Sequence, residues 1–520
     1  MRRARLRRAT LALATLPLLL AAAAPAGAAT KLNGYWEANV GGVRVNDEYP
    51  WNVWRPNQYY ELKLHSGIGA EGEVWVKFGG RWDAWNSAVP QPSLFLQEGH
   101  LKYRLDRGDR GFESFLFARE RRYWVGNHLL QLVNEDNVSD GNNSQGVRLD
   151  AWRGKWNATY VLGDFSSRDD AQTDAVEPTD DVHILRLMRR LKDDGSYLGG
   201  TYLRKVYAPA AAPHAKQFNE VGALDALWVA GWADLSLEYA ESRVPSEDLA
   251  DTGWNGAAWE HGSLGQGLEG FLPRDGALRA EIRNLTVGDH RVGHYTLSAG
   301  YWRVGRDYRN YQGGDTSDRV GHFFATYYRL PQRAVIYNLD WGRERHCDAY
   351  VYSVDEAGDP LLTDDPRQWL NQKLYVEFIN GFKASLAHNR TDESFLGRDY
   401  DHHDWLFELI VENKLAYLKT QFKIKDWDTD YEKRIFGLET TINLTDVWKW
   451  YNRYMVASDA VEARQMLFTQ IQYRPHDNLE FFASYGPDWY GDWGELTNDA
   501  DFESGGTMRD EFKLVAKTWF

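Results

Sequence analysis

The sequence predicts an all-β fold, a closed antiparallel transmembrane β-barrel of about 24 strands (range roughly 22–26), with short periplasmic turns and long extracellular loops. Apolar and polar residues alternate with period two along the whole chain, short connections alternate with long ones, and aromatic residues make up 14% of the sequence. A tilted strand needs roughly 9–11 residues to cross hydrocarbon, and only a sheet without edges satisfies its backbone there. A secreted β-sandwich or propeller is the alternative, since half-buried soluble sheets also alternate.

The chain opens with a predicted secretory leader, residues 1–28. A basic start, MRRARLRR, precedes the apolar stretch ATLALATLPLLLAAAA and the small residues Ala26-Gly27-Ala28. Removing its five Arg residues lowers the formal charge from −15 to about −20, which argues against a nucleic-acid partner. A single cysteine, Cys347, rules out an intrachain disulfide. Residues 29–520 form the predicted barrel, a single domain.

Strands follow one another from residue 32 to the C-terminus, joined by tight turns such as RGK, KDDG, LPQR and VENK. The clearest strand is AYLKTQFKIK, in which apolar and polar residues occupy opposite faces. Long polar loops are predicted at residues 122–144, 165–181, 243–262, 305–318, 345–366 and 487–506. Because a closed antiparallel barrel with both termini on one side needs an even strand count, residues 276–286 are predicted as a strand and 256–272 as a loop or inward element. We expect residues 243–272 to constrict the pore.

The last strand, EFKLVAKTWF, places Phe512, Leu514, Ala516 and Phe520 on one face. This C-terminal pattern resembles the assembly signal of Gram-negative outer-membrane β-barrel proteins of the porin type. The resemblance implies export to the cell outer membrane, insertion by the barrel-assembly machinery, and contact with outer-membrane lipid and lipopolysaccharide. More weakly, FARERRYWVGNHLLQL through NNSQGVRLDAWRGKWNATYVLGDF resembles a strand, loop and strand passage of alginate-export-family porins, and carries no substrate residue to transfer.

Basic residues predominate on the strand face that is predicted to line the lumen. They are Lys63, Lys77, Lys102, Arg104, Arg148, Arg186, Arg190, Lys373, Lys419, Lys423, Lys425, Lys513 and Lys517. A basic wall favours anionic solutes, and the lumen aromatics Trp75 and Tyr417 are candidates for stacking on sugar rings. Cross-strand ion pairs with a purely structural role are the alternative for the charges, and packing against an inward loop is the alternative for the rings.

The function that these features predict is a porin-like outer-membrane channel for small hydrophilic solutes, with anionic or carbohydrate cargo favoured. A surface-exposed adhesion or structural barrel is one alternative. An outer-membrane hydrolase is the other, but no GxSxG-like elbow marks a nucleophile. Asp399–Asp404 (DYDHHD) and the pair His346 and Cys347 contain metal-ligand types, yet neither has a second cluster at suitable spacing. The sequence therefore predicts no catalytic residue, metal or cofactor.

Overall fold

The computed structural model describes most of the chain after the leader. The described residues are 30–44, 51–82, 93–118, 120, 122–126, 129–130, 132, 145–165, 180–206, 218–243, 275–289, 293–306, 308, 310, 318–330, 334–347, 350–355, 360–429, 432–458, 463–486 and 510–520. The predicted leader, 1–28, lies outside them, as does all but the first residue of the predicted constriction, 243–272. Within the described ranges no helix is long and apolar enough to cross a lipid bilayer.

A single antiparallel sheet of 24 strands closes on itself, because β1 pairs with both β2 and β26. Two further strands, β16 and β17, form a separate hairpin. The bounds are β1 Lys31–Arg44, β2 Asn52–Ile68, β3 Gly72–Trp82, β4 Ser93–Asp106, β5 Arg110–Ala118, β6 Gln145–Arg153, β7 Trp156–Phe165, β8 Asp180–Arg190, β9 Tyr197–Val206, β10 Phe218–Ala230, β11 Ala233–Arg243, β12 Gly276–Asp289, β13 Gly293–Val304, β14 Arg319–Leu330, β15 Ala334–Arg345, β16 Tyr350–Val354, β17 Pro360–Thr363, β18 Arg367–Ile379, β19 Phe382–Phe395, β20 Arg398–Glu412, β21 Ala416–Lys425, β22 Lys433–Asn443, β23 Trp448–Ser458, β24 Ala463–His476, β25 Leu479–Tyr485 and β26 Asp510–Trp519. The barrel and its strand count are confirmed, as is the strand that begins at Gly276.

The two ends of the barrel differ in their connections. Eleven connections of two to six residues lie at the end that carries both termini. Most connections at the opposite end are longer, including residues 119–144, 244–275 and 486–509. Two connections at that end are also short: the four-residue β23–β24 connection and the β19–β20 turn, where Leu396 (φ 51°) and Gly397 (φ 68°) both take the left-handed conformation that a two-residue type I′ hairpin requires. The predicted alternation of short and long connections is confirmed.

The strands present two chemically different faces. Large apolar side chains on one face point away from the barrel axis and are exposed to the surroundings. They include Leu185, Leu187, Leu198, Leu224, Leu235, Leu237, Leu374, Phe378, Leu386, Phe407, Phe422, Phe436, Leu467, Phe481 and Leu514. The alternate residues face the lumen and are mostly polar or charged, or are buried. A continuous apolar outer face around a closed sheet is the arrangement that hydrocarbon surroundings demand.

The sheet closes at the seam between the first and last strands. The Gly34 amide donates to the carbonyl of Phe520 (2.8 Å), and the Phe520 amide donates back to Gly34 (3.1 Å). A Cβ at Gly34 would lie 2.1 Å from the Phe520 ring, and one at Gly42 would lie 2.6 Å from the Phe512 ring. Both aromatic rings therefore rest on backbone that only glycine leaves uncovered.

The four residues of the predicted assembly signal, Phe512, Leu514, Ala516 and Phe520, share this outer face at the seam. Their recognition by an assembly machinery stays a prediction.

Candidate lumen site

Part of the connection between β5 and β6 folds into the barrel. We call residues 120–132 the inward segment; the structure describes Glu120, 122–126, 129–130 and Leu132. Tyr123 is fully buried and Leu132 almost so, although both belong to a connection between strands. The segment therefore lies against the lumen wall and narrows the interior.

Apolar side chains on the lumen face receive the inward segment. Tyr123, Val125, Leu130 and Leu132 form one buried cluster with residues from β5 and from β7 through β13, which are Phe115, Phe117, Val161, Val182, Ile184, Leu203, Val221, Ala223, Ala240, Ala277 and Val304. The Tyr123 ring meets Phe117 edge-on, with centroids 5.5 Å apart, and lies over Gly163, where a Cβ would come within 2.4 Å. Burial of this surface by the hydrophobic effect supplies the main attraction between segment and wall.

Hydrogen bonds fix the backbone of the segment at several strands. The Leu130 amide donates to the Glu238 carboxylate (3.0 Å), and Arg279 donates to the Leu129 carbonyl (3.0 Å). Arg148 donates to the carbonyl of Trp124 (2.6 Å). Asn310 donates to the Leu132 carbonyl (3.2 Å). These bonds satisfy backbone groups that burial would otherwise leave unpaired, so the segment has a defined position.

An ion-paired carboxylate marks the start of the segment. Glu120 accepts from His100 Nδ1 (2.5 Å) and from Arg122 Nε (2.6 Å). Burial tends to raise the pKa of Glu120, but the hydrogen bonds and charges of His100 and Arg122 outweigh it and lower the pKa below its ordinary value. Trp75 stacks on His100 with centroids 5.7 Å apart. Trp75 thus packs beside His100, which holds Glu120 at the start of the inward segment. Packing against an inward loop was the alternative to sugar stacking for this ring.

The inward position of the described residues from Glu120 to Leu132 corrects the first part of the predicted polar outer loop, 122–144; residues 133–144 lie outside the described residues. The run YWVGNHLLQL carries too much apolar surface for a solvated loop, and the lumen wall gives that surface a place to be buried. This apolar content was the signal that sequence reasoning missed. The other predicted constriction, residues 243–272, falls almost entirely outside the described residues.

The predicted basic lumen residues lie on the lumen face, but at least nine of the thirteen are paired with carboxylates. Those nine are Lys63, Lys77, Lys102, Arg104, Arg148, Arg186, Lys419, Lys423 and Lys517. Lys77, for example, lies between Glu61 (3.1 Å) and Glu98 (3.2 Å). Pairing within a strand, as for Lys63 and Arg148, or across strands, as for Lys77, cancels most of the predicted positive charge and favours a structural role for these residues.

One of these pairs is buried and bidentate, and it connects two strands that are not neighbours. Arg186 on β8 donates twice to Asp225 on β10, both distances being 2.8 Å, and each side chain is only 5% exposed. Gly199 on the intervening strand makes this possible, because a Cβ there would lie 2.6 Å from Asp225 and 2.7 Å from Arg186. The pair reinforces the wall beneath the inward segment.

The other basic residues differ in their surroundings. Lys419 and Lys423 are buried, with Glu408 and Asp404 at 3.6 and 3.5 Å. Lys373 instead lines an open cavity of about 700 Å³ in the lumen wall between β12 and β20. Arg190, Lys425 and Lys513 occupy lumen positions of β8, β21 and β26. Lys373 is therefore the predicted basic residue that lines this large cavity.

The candidate metal ligands make ordinary hydrogen bonds. His346 Nδ1 contacts the Asp318 carboxylate at 3.0 Å, and the Cys347 thiol donates to the Val304 carbonyl at 3.3 Å. His402 contacts Asp426 at 3.0 Å. Among the residues that the structure describes, no group of three or more His, Cys, Asp or Glu side chains is placed to hold a metal ion.

Similar folds occur among solved outer-membrane proteins. A chain of the P pilus tip assembly intermediate PapC-PapD-PapK-PapG from E. coli superimposes with a TM-score of 0.50 at 11% identity, over 94% of this chain and 60% of that one. The P pilus usher PapC translocation pore gives 0.43 at 8% identity, over 94% and 99%. The siderophore receptor PirA from Pseudomonas aeruginosa gives 0.42 at 9% identity, over 94% and 80%. At such identities the likeness concerns the barrel fold alone. No protein-family model and no curated protein matches the sequence.

Proposed function

We propose that this protein is an outer-membrane channel through which small hydrophilic solutes pass passively. The observation that carries the proposal is the pairing of an apolar outer face with a polar lumen in one closed sheet of 24 strands. Such a barrel is too wide for its own side chains to fill, so water occupies what the inward segment leaves open. The leader and the C-terminal strand support export to the outer membrane and insertion there by the barrel-assembly machinery, among lipid and lipopolysaccharide.

The cargo that we propose is uncharged and polar, which favours the carbohydrate half of the sequence prediction over the anionic half. The lumen cations are largely neutralised, as Lys102 is by Glu73 (3.7 Å) and Glu113 (3.5 Å). A paired cation contributes little to the potential along the pore. Weak selectivity between anions and cations is therefore the expected electrical behaviour.

Conductance in planar bilayers tests the proposal. Purified, refolded protein is expected to give reproducible steps that scale with salt concentration and reverse near zero potential in a salt gradient. Proteoliposomes containing the protein should swell in small sugars faster than protein-free liposomes. An intact barrel that gives neither steps nor swelling would contradict the channel and favour a surface adhesion or structural role. Turnover of lipid or peptide reporters would instead favour a hydrolase, and we expect none.

A further inference from the structure

Three aromatic rings form a continuous surface on the lumen wall. Trp302 on β13 lies between Phe323 on β14 and Trp369 on β18, with both pairs of ring centroids 6.3 Å apart. The planes are inclined by 37° and 31°. We call these three residues the aromatic platform. It borders a cavity of about 380 Å³ beneath the inward segment, at Leu129 and Leu130.

Glycines on neighbouring strands make the three rings lie flat. A Cβ at Gly300 would stand 2.2 Å from Phe323, and one at Gly321 would stand 2.4 Å from Trp302. At Gly342 a Cβ would stand 2.0 Å from Trp369. Each ring therefore covers bare backbone with one face and turns the other toward the cavity. Flat rings held in this way present a rigid apolar surface at little entropic cost.

Polar groups extend the platform along the wall. Asp340 accepts from Trp369 Nε1 (3.0 Å) and lines both this cavity and the larger one of about 700 Å³, so the two cavities adjoin at this carboxylate. The carboxamides of Asn338, Asn371 and Asn389 line the larger cavity. Both volumes fall in the range of roughly 300–1,000 Å³ that small-molecule sites occupy.

The charges of the two cavities balance. Arg279 and Lys373 supply two cations, and Asp340 and Glu344 supply two carboxylates. Arg279 also lies over the Trp302 ring, 5.7 Å from its centroid, and donates to the carbonyl of Leu129 in the inward segment. The site therefore offers apolar ring faces, paired amide donors and acceptors, and no net charge.

From this combination we infer that the wall from β13 to β19 binds neutral saccharides, an inference that rests on the proposed channel function. The C–H faces of a pyranose ring pack on flat aromatic surfaces, while its vicinal hydroxyls require a donor and an acceptor side by side, which a carboxamide supplies. A uronate would add charge that the balanced site does not neutralise. The saccharide thus packs its ring on the aromatic platform and makes hydrogen bonds to the carboxamides that line the adjoining larger cavity.

Current block by saccharides in planar bilayers tests the inference. Maltotriose added to open wild-type channels is expected to interrupt the current in a saturable way. Trp302→Leu combined with Trp369→Leu keeps apolar bulk but removes the flat rings, and should weaken block at least tenfold while ion conductance persists. The matched control is Trp152→Leu, because Trp152 also lies on a lumen glycine, Gly111 (2.0 Å), but borders neither cavity. The control should keep wild-type block.

Calorimetric titration of the detergent-solubilised protein with maltotriose separates this inference from the channel proposal. Conductance without saccharide block or binding would overturn the inference and leave the channel. Saccharide binding without conductance would support the site and contradict the channel. Equal block in the double variant and wild type, or tighter binding of tri-uronates or of aromatic solutes than of maltotriose, would also overturn the inference.

Discussion

Replacing Tyr123 by alanine should release the inward segment without opening the barrel. The side chain is fully buried, meets Phe117 edge-on and covers Gly163, so its loss leaves a cavity that neither strand can close. Removing a buried aromatic side chain costs about 3–5 kcal/mol. Because about 1.4 kcal/mol is a tenfold change in an equilibrium constant, the docking equilibrium of the segment should shift more than a hundredfold. The barrel keeps its strand ladders, which do not depend on this ring.

Two measurements check the release of the segment. Hydrogen exchange of the backbone amides at residues 122–126 and 129–130 should accelerate about a hundredfold, and single-channel conductance should rise because the segment leaves the lumen. Trp124→Ala is the control, since Trp124 belongs to the same segment but is 52% exposed. Unchanged exchange in the Tyr123 variant, or the same acceleration in the control, would refute the claim that Tyr123 docks the segment.

Three other predictions concern charge and the seam. Lys419→Glu should destabilise the barrel by about 3–5 kcal/mol in chemical unfolding, because it sets a buried anion beside Glu408; a shift in ion selectivity at unchanged stability would contradict this. The lowered pKa of Glu120 means that its contribution to docking is complete above the ordinary value of 4.5 and is lost as the pH falls through the lowered pKa. Conductance should therefore be constant from pH 7 to about 5 and rise at lower pH, and Glu120→Gln should raise it already at pH 7; a pH-independent conductance would exclude this role. Phe520→Ala uncovers Gly34 at the seam and should reduce the folded, heat-modifiable fraction on gels. A folding yield equal to that of the wild type would show that the contact between Phe520 and Gly34 does not stabilise the closed barrel.

The barrel could be predicted from the sequence because its determinants are local. Each strand shows its own alternation, and each tight turn its own chemistry, so the strand at Gly276–Asp289 and the total of 24 follow from residues close in sequence. Closure of the barrel adds only the requirement that the number of strands is even.

The interior could not be predicted in the same way, because its contacts depend on register and on chain segments that are distant in sequence. Arg186 and Asp225 meet across β9 only because residue 199 is glycine, and nothing in the spacing of the two charged residues indicates it. The position of the inward segment could not be predicted for the same reason. Its apolar residues are visible in the sequence, but the wall that buries Tyr123 is assembled from eight strands.

Thiol labelling of adjacent residues in proteoliposomes tests the orientation of the two faces most directly. In a Cys347→Ser background, which removes the single native thiol, cysteine is placed either at Lys373 on the lumen face or at Leu374 on the outer face. A membrane-impermeant maleimide should label position 373 rapidly and leave position 374 unmodified, while a lipid-attached quencher should affect only a fluorophore at 374. Labelling of 374 from water with protection of 373 would contradict the account.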